Sequence, residues 1–472
     1  MKRILPFFAM ALAAALAGGC EVAGPPTARR PAPAGDGRLV VTLNGPERSA
    51  IDLTVELTGL VLHARGGGWF QVPVASTRLN SVEMVHRQVP LADVPMPAGQ
   101  YDRLTLKFGR ATLREEGKLT DLSVPPEGFT LGVSVEIESG SVTPLFITWD
   151  AERAVEAGTA LAPAFSFEGK EPELRAVVAY VTNEEAGTVS VIDRAKDRVV
   201  STIQVGQAPR GIVVEPDTRR AFVLNGGADT ITVIDVNSHR VVHTLNLEVR
   251  ARAQELAISP RGRTLYVANT ALNSVSALDT ATFSATAPVP VGVSPVALAV
   301  DSRSTRVLVA NAGSNTVTLI DAFSTRAVAT VTVDPGPVHI SVDPNPGADR
   351  VFVASPSSTF MSVLAASSGQ VVRRLNVGPG AVASLPDVIP NRLFVVKAPQ
   401  NRVAVFDLSL NAEIGAIPVG RGPHRIALDP DRDKLYVVNR DGDSVTVVDR
   451  VSRRVEATIP VGRRPYAIAI IR

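Results

Sequence analysis

One tetrapeptide recurs along most of this 472-residue chain at a nearly constant step, and that spacing limits the fold more than any other feature. Tyr180-Val181-Thr182-Asn183 returns as Phe222-Val223-Leu224-Asn225, Tyr266-Val267-Ala268-Asn269 and Leu308-Val309-Ala310-Asn311. It continues, degraded, as Phe352-Val353-Ala354-Ser355 and Phe394-Val395-Val396-Lys397, and returns as Tyr436-Val437-Val438-Asn439. The fourth position advances by 42 or 44 residues each time, which makes seven units. Asp193, Asp235, Asp279, Asp321, Ala365, Asp407 and Asp449 keep the same step. So does a joining turn: Val205-Gly206 to Pro209, Val291-Gly292 to Pro295, Val419-Gly420 to Pro423, and Val461-Gly462 to Pro465.

Each unit has room for four short strands, near Ile212–Val214, Ala221–Leu224, Ile231–Ile234 and Val241–Leu245 in the first full one. Four strands in about 42 residues make one propeller blade, an element that is apolar on both faces and stacks on its neighbours. The spacing therefore predicts an all-β protein with a seven-bladed β-propeller over residues 176–472. Its ends are out of phase with its strands. The first unit begins at its second strand, and Tyr466–Ile470 is an inner strand with no blade after it. That C-terminal strand is expected to complete the first blade and remove the open seam. The repeats resemble the YVTN family of bacterial and archaeal propellers, named for the tetrapeptide at 180–183. The resemblance implies a seven-bladed, commonly extracytoplasmic propeller with no single activity. The departures at Ser355, Ala365 and Lys397 leave the local turn geometry of units five and six open.

The N-terminus reads as an export signal over residues 1–19. Lys2 and Arg3 precede an apolar run from Ile4 to Ala17, too short to remain as a membrane span. The run ends Leu16-Ala17-Gly18-Gly19-Cys20, and Cys20 is the only cysteine. This resembles the lipobox of bacterial lipoproteins, with Ala17 where the family usually has Leu. The resemblance implies a diacylated Cys20, and two acyl chains anchor firmly. Ordinary cleavage after Ala15-Leu16-Ala17, leaving Cys20 a lone thiol, is the alternative. In a cell with two membranes, the resemblance with Glu21 rather than Asp after the cysteine implies the outer membrane. Residues 20–37 form a spacer with Pro25, Pro26, Pro31 and Pro33. At about 3.1 Å per residue, the stretch Glu21 to Asp36 would reach roughly 50 Å when extended. The formal charge of +2 includes Lys2 and Arg3, so the mature chain is balanced and offers no electrostatic case for nucleic acid.

Residues 38–165 read as a smaller β-sandwich. Leu39–Leu43, Leu53–Leu57 and Leu104–Phe108 have strand patterns, while Gly66-Gly67-Gly68 and Pro97-Ala98-Gly99 supply turns. The layout resembles a bacterial lipoprotein domain family of unknown function. The carrying features are Asn44-Gly45-Pro46 after the first strand, Ile51–Leu62 ending near Trp69, Pro97-Ala98-Gly99-Gln100-Tyr101, and Leu145 to Asp150. The two tryptophans, Trp69 and Trp149, are expected in core or rim packing. His63 and His86 lack partners at metal-ligand spacing and read as structural or surface residues.

Chemistry is sparse. The recurrent Asn and Asp are expected to bond turns of their own blades, because groups repeated in nearly every blade do not mark one site. The irregular positions are informative. The residue after the joining Pro reads Arg210, Gln254, Val296, Val338, Val382, His424 and Tyr466. The next reads Gly211, Glu255, Ala297, His339, Ala383, Arg425 and Ala467. Arg210, Glu255, His339, His424, Arg425 and Tyr466 are thus the candidates at the channel mouth for a polar or anionic ligand, with a solvated rim as the bland alternative. No metal site is expected from His339 and His424, and His239 and His243 are expected exposed on an outer strand. The chain has no Cys-x-x-Cys-His, no Gly-x-Ser-x-Gly, no phosphate loop and no propeller Trp, so no cofactor is expected. The favoured expectation is a lipid-anchored, non-enzymatic envelope module that binds a protein, a glycan or a small polar ligand. The alternative is a lactonase- or lyase-like enzyme working at the channel mouth.

Overall fold

The computed structural model describes residues 37–471 apart from 47, 75–76, 86, 157–158, 163, 169–177, 217, 249, 346 and 388–390. Cys20, the stretch read as an export signal, residues 20–36 of the expected spacer and His86 lie outside the described residues, and Gly37 already belongs to the first strand.

Alternation of apolar and polar residues builds the first domain. Gly37–Asn44 lies between Val142–Trp149, to which it is parallel, and Gln88–Met96, to which it is antiparallel; Phe165–Glu168 adds a fourth strand. A second sheet runs Trp69–Val72, Asp52–Ala64, Gly99–Glu115 and Lys118–Leu122, with Thr77–Asn80 and Phe129–Ile137 paired alongside. Leu39, Val41 and Leu43 of the first sheet meet Leu53, Val55, Leu104 and Leu106 of the second in one core, which makes a β-sandwich. Trp149 is fully buried and stacks on Phe165, but Trp69 sits on an edge strand and is 56% exposed, so only one tryptophan serves the core. His63 bonds Thr105 Oγ1 at 3.0 Å.

Seven four-stranded sheets follow, all antiparallel. Blade 2 shows the plan: Pro209–Glu215 innermost, then Arg220–Asn225, Thr230–Asp235 and Arg240–Asn246. Each inner strand touches the next around a closed ring. The repeat residues act as structural devices within it. Asn225 donates to Thr230 Oγ1 and Thr232 Oγ1 at 3.0 and 2.8 Å, and its Oδ1 accepts Gly206 N–H at 3.1 Å. A Cβ on Gly206 would stand 2.6 Å from the Asn225 amide, so the turn glycine and the asparagine form one unit. Gly292 with Asn311, Gly420 with Asn439 and Gly462 with Asn183 repeat that fit. The repeat aspartates accept N–H groups two and three residues ahead, as Asp321 does from Phe323 and Ser324 at 3.2 and 2.9 Å.

Blades 5 and 6 keep their four strands, because each departure is compensated. Asp334 replaces the turn glycine and accepts from Ser362 Oγ at 2.6 Å, while Ser355 donates to the Asp334 carbonyl at 3.0 Å. Asp349 takes over from the absent aspartate at Ala365 by accepting Ser367 N–H at 2.9 Å. Lys397 directs its ammonium to the carbonyls of Gly378 and Pro379 at 2.6 and 2.8 Å. Burial, helped by the Arg402 charge, pushes this amine down to about 8.

Closure occurs in blade 1, where Pro465–Ile470 pairs antiparallel with Val178–Asn183 inside Thr188–Asp193 and Arg198–Gln204. Arg194 of blade 1 is buried, pairs with buried Asp429 at the end of the blade 7 inner strand, and donates to the Ile471 carbonyl at 2.6 Å. The sandwich docks on the same blade. Gln88 bonds the Val199 backbone twice, donating to its carbonyl at 3.0 Å and accepting its N–H at 2.8 Å. Phe146 packs with Val181, Val199, Tyr436 and Val438 of blades 1 and 7. Arg38, held bidentately by Asp93 at 2.5 and 2.8 Å, donates to the Ala186 carbonyl at 2.5 Å.

Two outcomes follow. Deleting residues 465–472 removes the inner strand of blade 1, so hydrogen exchange should accelerate first in Val178–Asn183, and the melting temperature should fall; a truncated chain melting like the full one would refute this closure. Arg194→Met leaves Asp429 buried without its partner and should cost about 3–5 kcal/mol in urea unfolding, with part of the loss recovered in R194M/D429L.

Candidate functional site at the channel mouth

The inner strands begin at the joining turns, so their first residues from all seven blades face one end of the channel. The fold brings five of the six sequence candidates into one contact network. Arg425 of blade 7 donates to Glu255 of blade 3 at 3.1 Å, a bridge that crosses the channel. The Glu255 carboxylate fits there because residue 211 is glycine: a Cβ would stand 2.4 Å from Glu255 Oε1. Arg210 of blade 2 donates to Glu184 at 3.0 Å and also bonds Gln254. Tyr466 of the closing strand lies at the centre, with the His424 ring 4.5 Å away edge-on. Three guanidiniums surround the Tyr466 ring: Arg425 at 5.3 Å, Arg440 at 5.5 Å and Arg210 at 5.7 Å.

His339, on blade 5, faces this cluster from across the channel; its Nδ1 accepts the Ser384 N–H at 3.4 Å. Both mouth histidines keep some surface on the lumen but stand deep among protein atoms. Desolvation and the Arg425 charge hold both well below the ordinary histidine range, with Arg440, His339 and Arg210 also acting on His424. The buried His424 Nε2 has no hydrogen-bond partner. Burial also raises the Tyr466 phenol, with Arg425 opposing.

Glu184 and Arg440 belong to the network but were not among the sequence candidates. Burial works against Glu184 ionisation, yet its bonds to Arg440 and Arg210 hold its carboxyl below the usual range. Both residues directly follow the repeat asparagine, a position that reads Glu184, Gly226, Thr270, Ala312, Pro356, Ala398 and Arg440. Its irregularity was the available signal. The opposite arc carries no charge and, apart from His339, is apolar: Val296, Val338 and Val382 occupy the position of Arg210 after the joining turn and are half-buried. His239 departs from expectation, because it lies in the turn before the outer strand of blade 2 and its Nδ1 bonds Tyr180 of blade 1 at 2.5 Å. His243 is exposed on that strand and stacks on Phe283 at 5.1 Å.

The mouth is therefore a cluster of three arginines sharing two carboxylates, beside two neutral imidazoles. It offers hydrogen-bond donors and a surplus of positive charge. Among the described residues, no three His, Cys, Asp or Glu side chains gather where they could hold a metal ion.

A family model described as "Lactonase, 7-bladed beta-propeller" matches residues 177–331. No curated protein matches the chain. Among solved structures, hydrazine synthase of Kuenenia stuttgartiensis aligns at TM-score 0.50 and 19% identity, covering 56% of this chain and 95% of that one. Dihydro-heme d1 dehydrogenase NirN aligns at TM-score 0.48 and 12% identity, over 62% and 74% of the two chains. Virginiamycin B lyase from Staphylococcus aureus aligns at 0.46 and 14%, over 54% and 84%. At these identities the first likeness speaks for the propeller fold alone.

The histidines give the mouth a pH signature. In the unfolded chain they take up protons near pH 6.5, whereas in the folded protein they do so only at lower pH. The unfolded state thus binds more protons just below pH 6.5, so stability is full above that value and falls as pH drops through it. Urea unfolding between pH 7.5 and 5 should show this slope, and H339Q/H424Q should flatten it; equal slopes would contradict the described desolvation.

Proposed function

We propose that this chain is a non-enzymatic binding module, anchored to the outer membrane of a bacterial envelope through lipid on Cys20, that takes a small polar ligand at the channel mouth. The observation that carries the binding reading is the Arg425–Glu255 bridge across the channel. It engages the Glu255 carboxylate, and Glu184 is engaged likewise by Arg210 and Arg440. A general base needs a conjugate acid of comfortable stability. Desolvation and three adjacent guanidiniums make His424 a poor one. The anchor rests on the sequence around Cys20, and an envelope protein or glycan is the larger partner that this location would supply.

The partial family match favours a second reading, a lactone-opening enzyme with His424 as base and an arginine on the carbonyl oxygen. Its support in the site is the unpartnered Nε2 of His424.

Three measurements test the anchor, the ligand site and the enzyme reading in turn. An alkyne-palmitate label should enter the full chain in bacterial membranes and be lost in Cys20→Ser. A thermal-shift screen of polar metabolites should find ligands that stabilise the wild type by several degrees and leave Arg425→Met unmoved. Incubation with sugar and acyl-homoserine lactones should give no turnover above buffer; turnover that disappears in His424→Ala would install the enzyme reading instead.

A further inference from the structure

We infer that the channel-mouth ligand is an organic carboxylate with an apolar body, held by the arginine arc at one end and by the valine arc at the other. The inference rests on the binding reading above and deepens it by naming the ligand class.

The charge distribution around the ring is lopsided. Blades 7, 1, 2 and 3 supply Arg425, Arg440, Glu184, Arg210 and Glu255, while blades 4, 5 and 6 supply Val296, Val338 and Val382 after their joining turns and, besides these, only the uncharged His339. A solvated rim has no reason to segregate in this way. A neutral polar ligand would leave the valines against water or against its own polar groups, and an inorganic anion would leave them unused.

The donor count points the same way. The two carboxylates do not saturate three guanidiniums, each of which has five N–H groups. The Nε of Arg440 and the Nε2 of His424, each on a side chain packed against Tyr466, are buried without an acceptor. The donors within reach of the lumen are the outer N–H groups of Arg210 and Arg440, whose side chains keep 24% and 27% of their surface, and a carboxylate has the lone pairs to take two of them. The Tyr466 ring stacked among the guanidiniums keeps their forks apart and fixed, so a planar two-oxygen group meets donors already in place. Arg425 is the one arginine whose partner comes from across the lumen, so an arriving carboxylate competes with Glu255 there and displaces its bridge.

The test uses the full chain purified from membranes and three probes of similar solubility: benzoate, benzamide and acetate. Titration calorimetry should show benzoate binding at least tenfold more tightly than either of the others. Benzamide lacks the charge, and acetate lacks the body. Arg440→Gln should abolish the preference for benzoate over benzamide. Val338→Ser should weaken benzoate several-fold and leave acetate unchanged, with thermal unfolding confirming that both variants fold. Equal affinity for benzoate and acetate would overturn the apolar arc, and equal affinity for benzoate and benzamide would overturn the anion site. Failure of benzoate, while a screened neutral ligand still binds through Arg425, would sink this inference and leave the channel-mouth reading standing. Absence of any ligand sensitive to Arg425→Met would remove both.

Discussion

Ring closure is the constraint on which the propeller depends, and one buried guanidinium secures it. Arg194 joins blade 1, the inner strand of blade 7 and the end of the C-terminal strand through Asp429 and the Ile471 carbonyl. A strand held by backbone bonds alone frays from its end; here the carbonyl just past the strand is fastened to a charge pair that would be costly to expose singly. The other seams use milder forms of the device. Glu215 accepts from Thr280 Oγ1 of the next blade at 2.8 Å, and Arg450 reaches back to Asp387 at 3.0 Å. The sandwich reinforces the same place, since the Gln88 amide caps the outer strand of blade 1 as a neighbouring peptide would. An edge that could have recruited another chain is thereby covered at that point.

The candidate site inherits its rigidity from this closure. Tyr466 stands on the closing strand, so the ring around which the arginines gather exists only in the closed propeller. Glu184 lies in a loop fixed on both sides: its N–H donates to the Arg464 carbonyl at 2.9 Å, and two residues on, the Ala186 carbonyl accepts from Arg38 of the sandwich. Little ordering remains to be done when a ligand arrives, which favours affinity from few contacts.

The blade count, the strand positions and the C-terminal closure were legible because each rests on a repeated local rule that survives without knowledge of partners. The roles of the repeat Asn and Asp were legible for the same reason. What escaped was pairwise. Arg425 and Glu255 are 170 residues apart, and nothing in either local sequence announces a bridge across a lumen. Compensation in blades 5 and 6 was equally hidden, though a trace exists. The hydroxyls that accept from the repeat Asn lie five and seven residues later, and after Lys397 those positions are Arg402 and Ala404. The lysine therefore turns to backbone carbonyls instead. Which of the two tryptophans would be core and which rim was not legible, because the edge place of Trp69 is set by pairing with Asp52–Ala64 that its own sequence does not show.

The fit between each turn glycine and the following asparagine bears on how such a chain could grow or be recombined. Gly206 closes the segment before blade 2, yet its partner Asn225 lies within that blade, and Gly462 stands in the same relation to Asn183 across the closure. The exchangeable cassette is therefore not the visible blade. It begins upstream of the joining turn and carries the inner strand along with it, so a duplication or transplant cut at the blade's edge would separate a glycine from the amide that needs its bareness. A cut in the outer strand keeps the two together, whereas the propeller's own ends meet between the inner and second strands of blade 1, so there Gly462 and Asn183 are brought together by closure alone.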